Sequence, residues 1–250
     1  MSREVIVVTA AYGREKVVEL GGQQALLPVI AQAGADGVEI RRELFSEPEL
    51  QNLPALGQAI RDHNLVAFYS VPEPLFNPAG ELTSNLQHYF SEAAQLNARL
   101  IKFSLGHYQP GTRLSELKER LSRQSIRLVV ENDQTADCGI LPALSAFFQD
   151  VTDQQLPLEM TFDMANWHWV DESPLTAVQQ LSQYVGYIHV KAAIASQKGW
   201  RAIALDDADN LWPALLAQLP SDAPRGIEFP LEGNDLTAVT RHYVNIVKKD

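Results

Sequence analysis

The apolar positions along this chain follow two alternating rhythms. Short β-type runs rich in valine, isoleucine and phenylalanine occur at 4–10, 37–40, 65–71, 99–105, 126–131, 158–163, 185–190 and 225–229. Between them lie longer stretches whose apolar residues recur at the three-to-four-residue spacing of a helix. Over 83–97 that spacing puts Leu86, Phe90, Ala93 and Leu96 on one face, and in the last segment it aligns Leu236, Val239, Tyr243 and Val247. Further helices are predicted over 22–33, 47–61, 113–124, 139–150 and 208–218. Another opens at Ser173-Pro174, an N-cap followed by proline at the first helical position.

Eight strands, each followed by a helix, imply a parallel sheet covered by helices. Eight such units within 250 residues favour closure into one (β/α)8 TIM barrel over 1–250. An open doubly wound sheet is the alternative, but no GxGxxG follows a strand. The proline-rich VPEPLFNP at 71–78 reads as a loop at the catalytic end of the barrel. A chain of this length buries roughly 70–75% of its unfolded surface, so it needs no disulfide, and its single cysteine, Cys138, can form none internally. The N-terminus lacks the apolar segment of a signal peptide, and no apolar run approaches the roughly 18 residues of a membrane span. A cytoplasmic protein without a membrane partner is expected. The formal charge of −11 opposes nucleic acid as a partner.

Active-site groups of such a barrel lie at the C-terminal ends of its strands. Four consecutive strands end in, or next to, a metal-competent side chain: Glu131 in VVEN, Asp163 in TFDM, His189 in YIHV and Glu228 in GIEF. Singly these residues say little. A glutamate at a strand end is usually a solvated rim residue, and a histidine between Ile188 and Val190 is usually a satisfied core residue. Together they place four polar groups inside apolar β-type runs, where an unpaired charge is costly and three neighbouring carboxylates repel. One divalent cation resolves both problems. The set is oxygen-rich and lacks a thiolate, which suits Mn²⁺, Co²⁺ or Mg²⁺, with Zn²⁺ as an alternative.

In these four positions the chain resembles the xylose-isomerase-like superfamily of sugar and sugar-phosphate isomerases and epimerases. There a glutamate ends the fifth strand, an aspartate the sixth, a histidine the seventh and a glutamate the eighth; here the segments read VVEN, FDMANW, YIHVK and GIEF. GVEIRRE at 37–43 resembles the superfamily's second-strand segment, and the chain is also similar to epimerases associated with 2-ketogluconate utilisation. The resemblance implies α-proton abstraction from a keto-sugar or keto-acid, phosphorylated or not, through a metal-stabilised enediolate. Glu131 and Glu228 come from strands three steps apart around the ring, so they can serve opposite faces of a substrate. Removal by one and return by the other is epimerisation, whereas relay between adjacent carbons is aldose–ketose isomerisation. The sequence departs from the pattern at Ala192, where relatives often carry an acid after His-x-Lys.

Glu39, Tyr69, His107, Asn166, Lys191 and Arg201 are candidate substrate contacts. Glu39 could equally orient a metal ligand or pair with Arg41 or Arg42. Tyr69 and Lys102 are expected to point into the barrel, with Lys102 in an internal ion pair. His107 lies in the turn-rich SLGHYQPG, and Lys191, Lys198 and Arg201 are either anion holders or solvated loop charge. Trp167, His168 and Trp169 wall the pocket or simply pack. Three rival functions remain: a metal-dependent sugar or polyol dehydratase, an apurinic-site endonuclease, and a non-catalytic sugar-binding barrel. A homo-oligomer is compatible with the exposed helices of a barrel, but no surface patch is diagnostic.

Overall fold

The computed structural model describes residues 3–249. Its strands are β1 (Val5–Val8), β2 (Gly37–Arg41), β3 (Val66–Phe76), β4 (Ala98–Gly106), β5 (Arg127–Glu131), β6 (Glu159–Asp163), β7 (Val185–Val190), β8 (Ala192–Ser196), β9 (Gly199–Ile203) and β10 (Arg225–Ile227). Its helices are α1 (Arg14–Glu19), α2 (Leu27–Gln32), α3 (Glu47–Gln51), α4 (Leu53–Asp62), α5 (Leu86–Gln95), α6 (Ser115–Ser122), α7 (Leu141–Asp153), α8 (Pro174–Leu181), α9 (Leu211–Leu216) and α10 (Leu236–Lys249). Eight strands close into a parallel barrel in the order β1-β10-β7-β6-β5-β4-β3-β2, the (β/α)8 TIM barrel expected from the sequence. No helix among the described residues is long and apolar enough to cross a membrane.

Alternate residues of each strand face the barrel interior. Ile6, Phe68, Leu100, Val129 and Tyr187 pack there as a small apolar layer of their own. Two residues further along four of those strands, the interior becomes polar, with Ser70, Lys102, Glu131 and His189. The intervening residues point outward into the larger core shared with the helices, where Val5, Ile40, Ile101, Phe103 and Val130 are buried. The apolar layer therefore serves as the floor of the polar one.

Gly226 of β10 lies against this layer because a side chain has no room there. A Cβ would lie 2.2 Å from Tyr187 Oη and 3.0 Å from His189 Cδ2. Gly226→Ala is expected to destabilise the protein by about 1–3 kcal/mol through overpacking, measurable by denaturant unfolding.

The local structure differs from the sequence pattern in several places, among them an unpredicted helix α1. The helix expected over 47–61 is two helices. Asn52 ends α3 and caps α4, its side chain accepting from Ala55 N at 3.3 Å, while Ser46 and Glu49 form a capping box at the start of α3. Strand β3 continues through Pro72 and Pro74 to Phe76, so much of 71–78 is strand and not loop. A register shift between Ser70 and Pro74 accommodates the prolines, which have no N–H to give to the ladder. After β7 the chain makes an antiparallel hairpin, β8 on β9, outside the barrel. Its alternation is short and mixed with alanines, so it reads as loop in the sequence.

Candidate metal centre and active site

The strand ends bring Glu131, Asp163, His189 and Glu228 together. One donor atom from each lies within 4.8 Å of all the others. His189 Nδ1 is 2.7 Å from Glu131 Oε1, 3.0 Å from Glu228 Oε2 and 3.9 Å from Asp163 Oδ2. Asp163 and His189 are buried and the two glutamates nearly so. Both His189 Nδ1 and Glu131 Oε1 are buried without a hydrogen bond. The donor atoms of the four side chains thus crowd one small volume. The donor set and its convergence fit a divalent cation.

Surrounding side chains fix the ligand orientations. Glu39, buried under the cluster, has Oε2 2.8 Å from His189 Nε2 and also accepts from Tyr187 Oη at 2.8 Å. A proton on Nε2 directed at that carboxylate leaves Nδ1 as the ligand atom, the arrangement by which a carboxylate orients a metal-binding histidine. Lys102 Nζ donates to Glu131 Oε2 at 2.5 Å and lies 3.6 Å from Glu39 Oε1. Arg41 donates to Glu228 Oε1 at 2.7 Å and to Glu43 Oε1 at 2.8 Å. Lys191 Nζ lies 3.3 Å from Asp163 Oδ2, 3.4 Å from Glu228 Oε2 and 3.1 Å from Asn166 Oδ1.

Asp163 is held by the chain itself. Its Oδ1 accepts from the backbone N–H groups of Ala165 and Asn166, both at 2.8 Å. The Asn132 side chain, next to Glu131, accepts from Asp163 N at 2.8 Å and donates to Asp163 O at 3.0 Å. Two ligand-bearing strands are thus locked in register by one amide. Asn132→Ala removes both bonds and is expected to cost about 1–3 kcal/mol, because it leaves buried backbone groups unpaired. Chemical denaturation of the variant checks this.

The electrostatics separate the carboxylates. Burial alone would raise Glu39, but His189 and Lys102 beside it lower its pKa to about 2. Burial opposes ionisation of Glu131 and Glu228 as well. Lys102 and His189 nevertheless lower Glu131, and Lys191, His189 and Arg41 hold Glu228 well below the usual carboxylate range. Asp163 goes the other way: burial, then Glu228 and Glu131, push it up to about 7 despite Lys191. Burial opposes a charge on His189, yet Glu228 and Glu39 raise its pKa well above the ordinary value. A cation among the same carboxylates would do the work of that proton.

The remaining predicted residues divide into those at the cluster and those away from it. Glu39, Asn166 and Lys191 are at the cluster. Asn166 donates to Asn132 O at 2.9 Å and accepts from Gln134 Nε2 at 2.9 Å, which aims its oxygen at Lys191. Lys102 points inward into the expected ion pair. Tyr69 does not point inward: Phe68 and Ser70 take the interior positions, so Tyr69 faces α5 and donates to Glu92 Oε2 at 2.5 Å. Arg42 binds the same carboxylate from the other side at 2.8 and 3.0 Å. His107 follows β4 at the catalytic end, anchored by its backbone N–H to Phe76 O. Arg201 lies on the exposed hairpin strand β9, opposite Ile194. His168 stacks on Trp200 of that hairpin at 4.4 Å between ring centroids, and Lys191 Nζ sits 5.7 Å from the Trp169 ring. Sequence reading missed Asn132 and Tyr187 as orienting residues. The signal was there in the polar Asn directly after a ligand and the Tyr two residues before one.

A cavity of about 300 Å³ opens beside Lys191 and Glu228, walled by Ala10, Ala11, Tyr12 and Phe229. Four metal-competent side chains thus gather at the C-terminal ends of consecutive barrel strands. Neither the protein-family models nor the curated proteins searched match the chain. Solved structures do. The IolI protein with a bound zinc atom superposes with a TM-score of 0.73 at 12% identity, over 98% of each chain. A xylose isomerase domain-containing protein from Salmonella typhimurium gives 0.70 at 13%, over 98% of this chain and 97% of that one. The 3-keto-D-glucoside 4-epimerase of E. coli gives 0.67 at 14%, over 99% and 100%. The chain therefore shares the TIM-barrel fold of these proteins. Matches also include a protein described as a probable 3-DHS dehydratase and an AP endonuclease, so the shared fold does not select a reaction.

Proposed function

We propose that this protein is a divalent-metal-dependent epimerase that removes and returns a proton on a carbon beside the carbonyl of a keto-sugar or keto-acid. The observation that carries this reading is the convergence of Glu131, Asp163, His189 and Glu228 on one centre, with the two glutamates three strands apart on the ring. These four residues would hold Mn²⁺, Co²⁺ or Mg²⁺, with Zn²⁺ as the alternative. A cation bound there supplies Lewis-acid polarisation of the substrate carbonyl, which acidifies the neighbouring C–H.

The chain's own residues supply the rest. Lys102 keeps Glu131, and Lys191 with Arg41 keeps Glu228, as carboxylates, the form in which either can accept a proton. Their placement on opposite sides of the ring lets one take the proton and the other return it to the opposite face. Glu39 and Tyr187 fix the His189 ring. Lys191 faces the cavity from between Asp163 and Glu228, where its ammonium can donate to a substrate oxygen. The acidic chain and the size of the cavity suit a small-molecule substrate and not nucleic acid.

Deuterium uptake tests the reading. The metal-loaded protein is incubated in D₂O with a panel of ketoses, keto-acids and their phosphates. One substrate is expected to gain a carbon-bound deuteron and to appear as its epimer. Loss of water from the product would favour a dehydratase, and absence of exchange across the panel with Mn²⁺, Co²⁺ and Mg²⁺ would remove the proton-transfer reading.

A further inference from the structure

We propose that Gln23 and Glu92 are positioning residues for Glu228, acting through Arg41 and Arg42. Gln23 fixes the backbone of Arg41, Glu92 fixes the side chain of Arg42, and Arg41 so held keeps one Glu228 oxygen outside the cluster and leaves the other to it. The inference rests on the reading above that Glu228 works at that cluster, and it adds two residues that lie outside it.

Each of the two glutamates gives one oxygen to the cluster and the other to a cation. At Glu131, Oε1 faces His189 Nδ1 at 2.7 Å and Oε2 accepts from Lys102. At Glu228, Oε2 faces His189 Nδ1 at 3.0 Å and Oε1 accepts from Arg41 Nη1 at 2.7 Å. The two cations are held differently. Lys102 is buried in the middle of β4, where packing restrains it. Arg41 is the last residue of β2, its side chain is 19% exposed, and it reaches Glu228 past β1. Fixing so long a side chain costs rotamer entropy, and a mobile base would add backbone freedom to that cost.

The base is built from both sides of the barrel wall. Strand β1 ends at Val8, opposite Glu39, and the chain then turns into the 3-10 segment Thr9–Tyr12, so the β1 side of Arg41 has no strand to pair with. Gln23, from the 3-10 segment Gln23–Leu26, takes the missing strand's place. Its Oε1 accepts from Arg41 N at 2.8 Å and its Nε2 donates to Arg41 O at 2.9 Å. The Thr9 hydroxyl donates to the same Oε1 at 2.6 Å, which fixes the orientation of the amide, and lies 3.1 Å from Glu39 O. Gln23 and Thr9 are fully buried, where a backbone group left without a partner is costly. Arg42 has the opposite parity and points out of the barrel. There Glu92 of α5 accepts from its Nε at 2.8 Å and from its Nη2 at 3.0 Å. Glu92 is held in turn by Tyr69 Oη at 2.5 Å, and His88 Nε2 lies 3.1 Å from it. The peptide between the two arginines is thus gripped from inside and outside, and Glu43 Oε1 steers Arg41 further by accepting from its Nε at 2.8 Å.

The first test is ¹⁵N NMR of the metal-free protein labelled at arginine, following hydrogen exchange at the Arg41 Nε–H, which is assigned by its loss in Arg41→Lys. Gln23→Leu and Arg42→Met are each expected to speed that exchange at least roughly tenfold, while the backbone amides of β5 and β6 keep their protection, because the opening is local. Arg42→Met leaves Glu92 bonded to Tyr69 and reads the effect even where Gln23→Leu fails to fold. Unchanged Arg41 exchange in the folded variants overturns the inference. In the metal-loaded protein, Arg42→Met is expected to lower kcat for deuterium uptake about 10–100-fold, the usual cost of losing a residue that supports a ligand. In an Arg41→Met background it is expected to cost nothing further, since residues that act through one another do not add. Additive losses overturn the inference and leave the reaction standing. If the native protein exchanges no substrate, the reaction reading fails and the NMR measurement decides alone.

Discussion

Glu131→Gln is expected to lower the rate of substrate C–H exchange by about 10²–10⁴-fold, the contribution of a positioned proton-transfer group. The substitution keeps the volume of the side chain and removes its charge. In the native site Oε2 accepts from Lys102 at 2.5 Å, and Oε1 faces His189 Nδ1 at 2.7 Å without a hydrogen bond. A glutamine must give its carbonyl either to Lys102 or to the cluster. The first choice points an NH₂ at the ligand centre, and the second points it at an ammonium; both are repulsive. The variant therefore loses its proton acceptor and also binds the cation more weakly. Single-turnover exchange at saturating metal separates the two losses. A variant that exchanges at the native rate under those conditions would show that Glu131 only shapes the site.

Lys102→Met is expected to destabilise the fold by about 3–5 kcal/mol, the cost of breaking a buried ion pair from one side. Lys102 is 2% exposed and lies between Glu131 and Glu39, both in a layer closed from below by Phe68, Leu100 and Tyr187. Burial disfavours its charge, but Glu131 and then Glu39 raise its pKa, so the ammonium persists in the barrel. Methionine fills the space of the stem and leaves Glu39 Oε1, already without a hydrogen bond, further from any positive charge. Urea unfolding of the metal-free variant reads the loss. Native stability would mean that the pair contributes nothing net and that its role is confined to orienting Glu131.

The eight-strand rhythm was legible because each barrel strand is an apolar run and each helix carries a face. The four ligands were legible because a charge inside such a run needs a reason. What escaped the sequence depends on parity and on long-range pairing. Tyr69 and Lys102 both sit in apolar strands, and only the register tells that Tyr69 points out to Glu92 while Lys102 points in to Glu131. Arg41 or Arg42 looked like a partner for Glu39, yet Arg41 reaches past β1 to Glu228. The hairpin β8–β9 is too alanine-rich and too exposed to declare itself by hydrophobic alternation. Asn132 stood beside a ligand in plain view, but its bond to Asp163 crosses from one strand to the next and is invisible in one dimension.

The central claim, that Glu131, Asp163, His189 and Glu228 form one divalent-cation site, is tested most directly by titrating Mn²⁺ into the metal-stripped protein and following free Mn²⁺ by its EPR signal. One ion per chain is predicted, with binding lost or sharply weakened in Asp163→Asn and in His189→Ala, and unchanged in Arg201→Ala on the exposed hairpin. Absence of stoichiometric binding by the folded native protein, or binding that survives both ligand substitutions, would contradict the account.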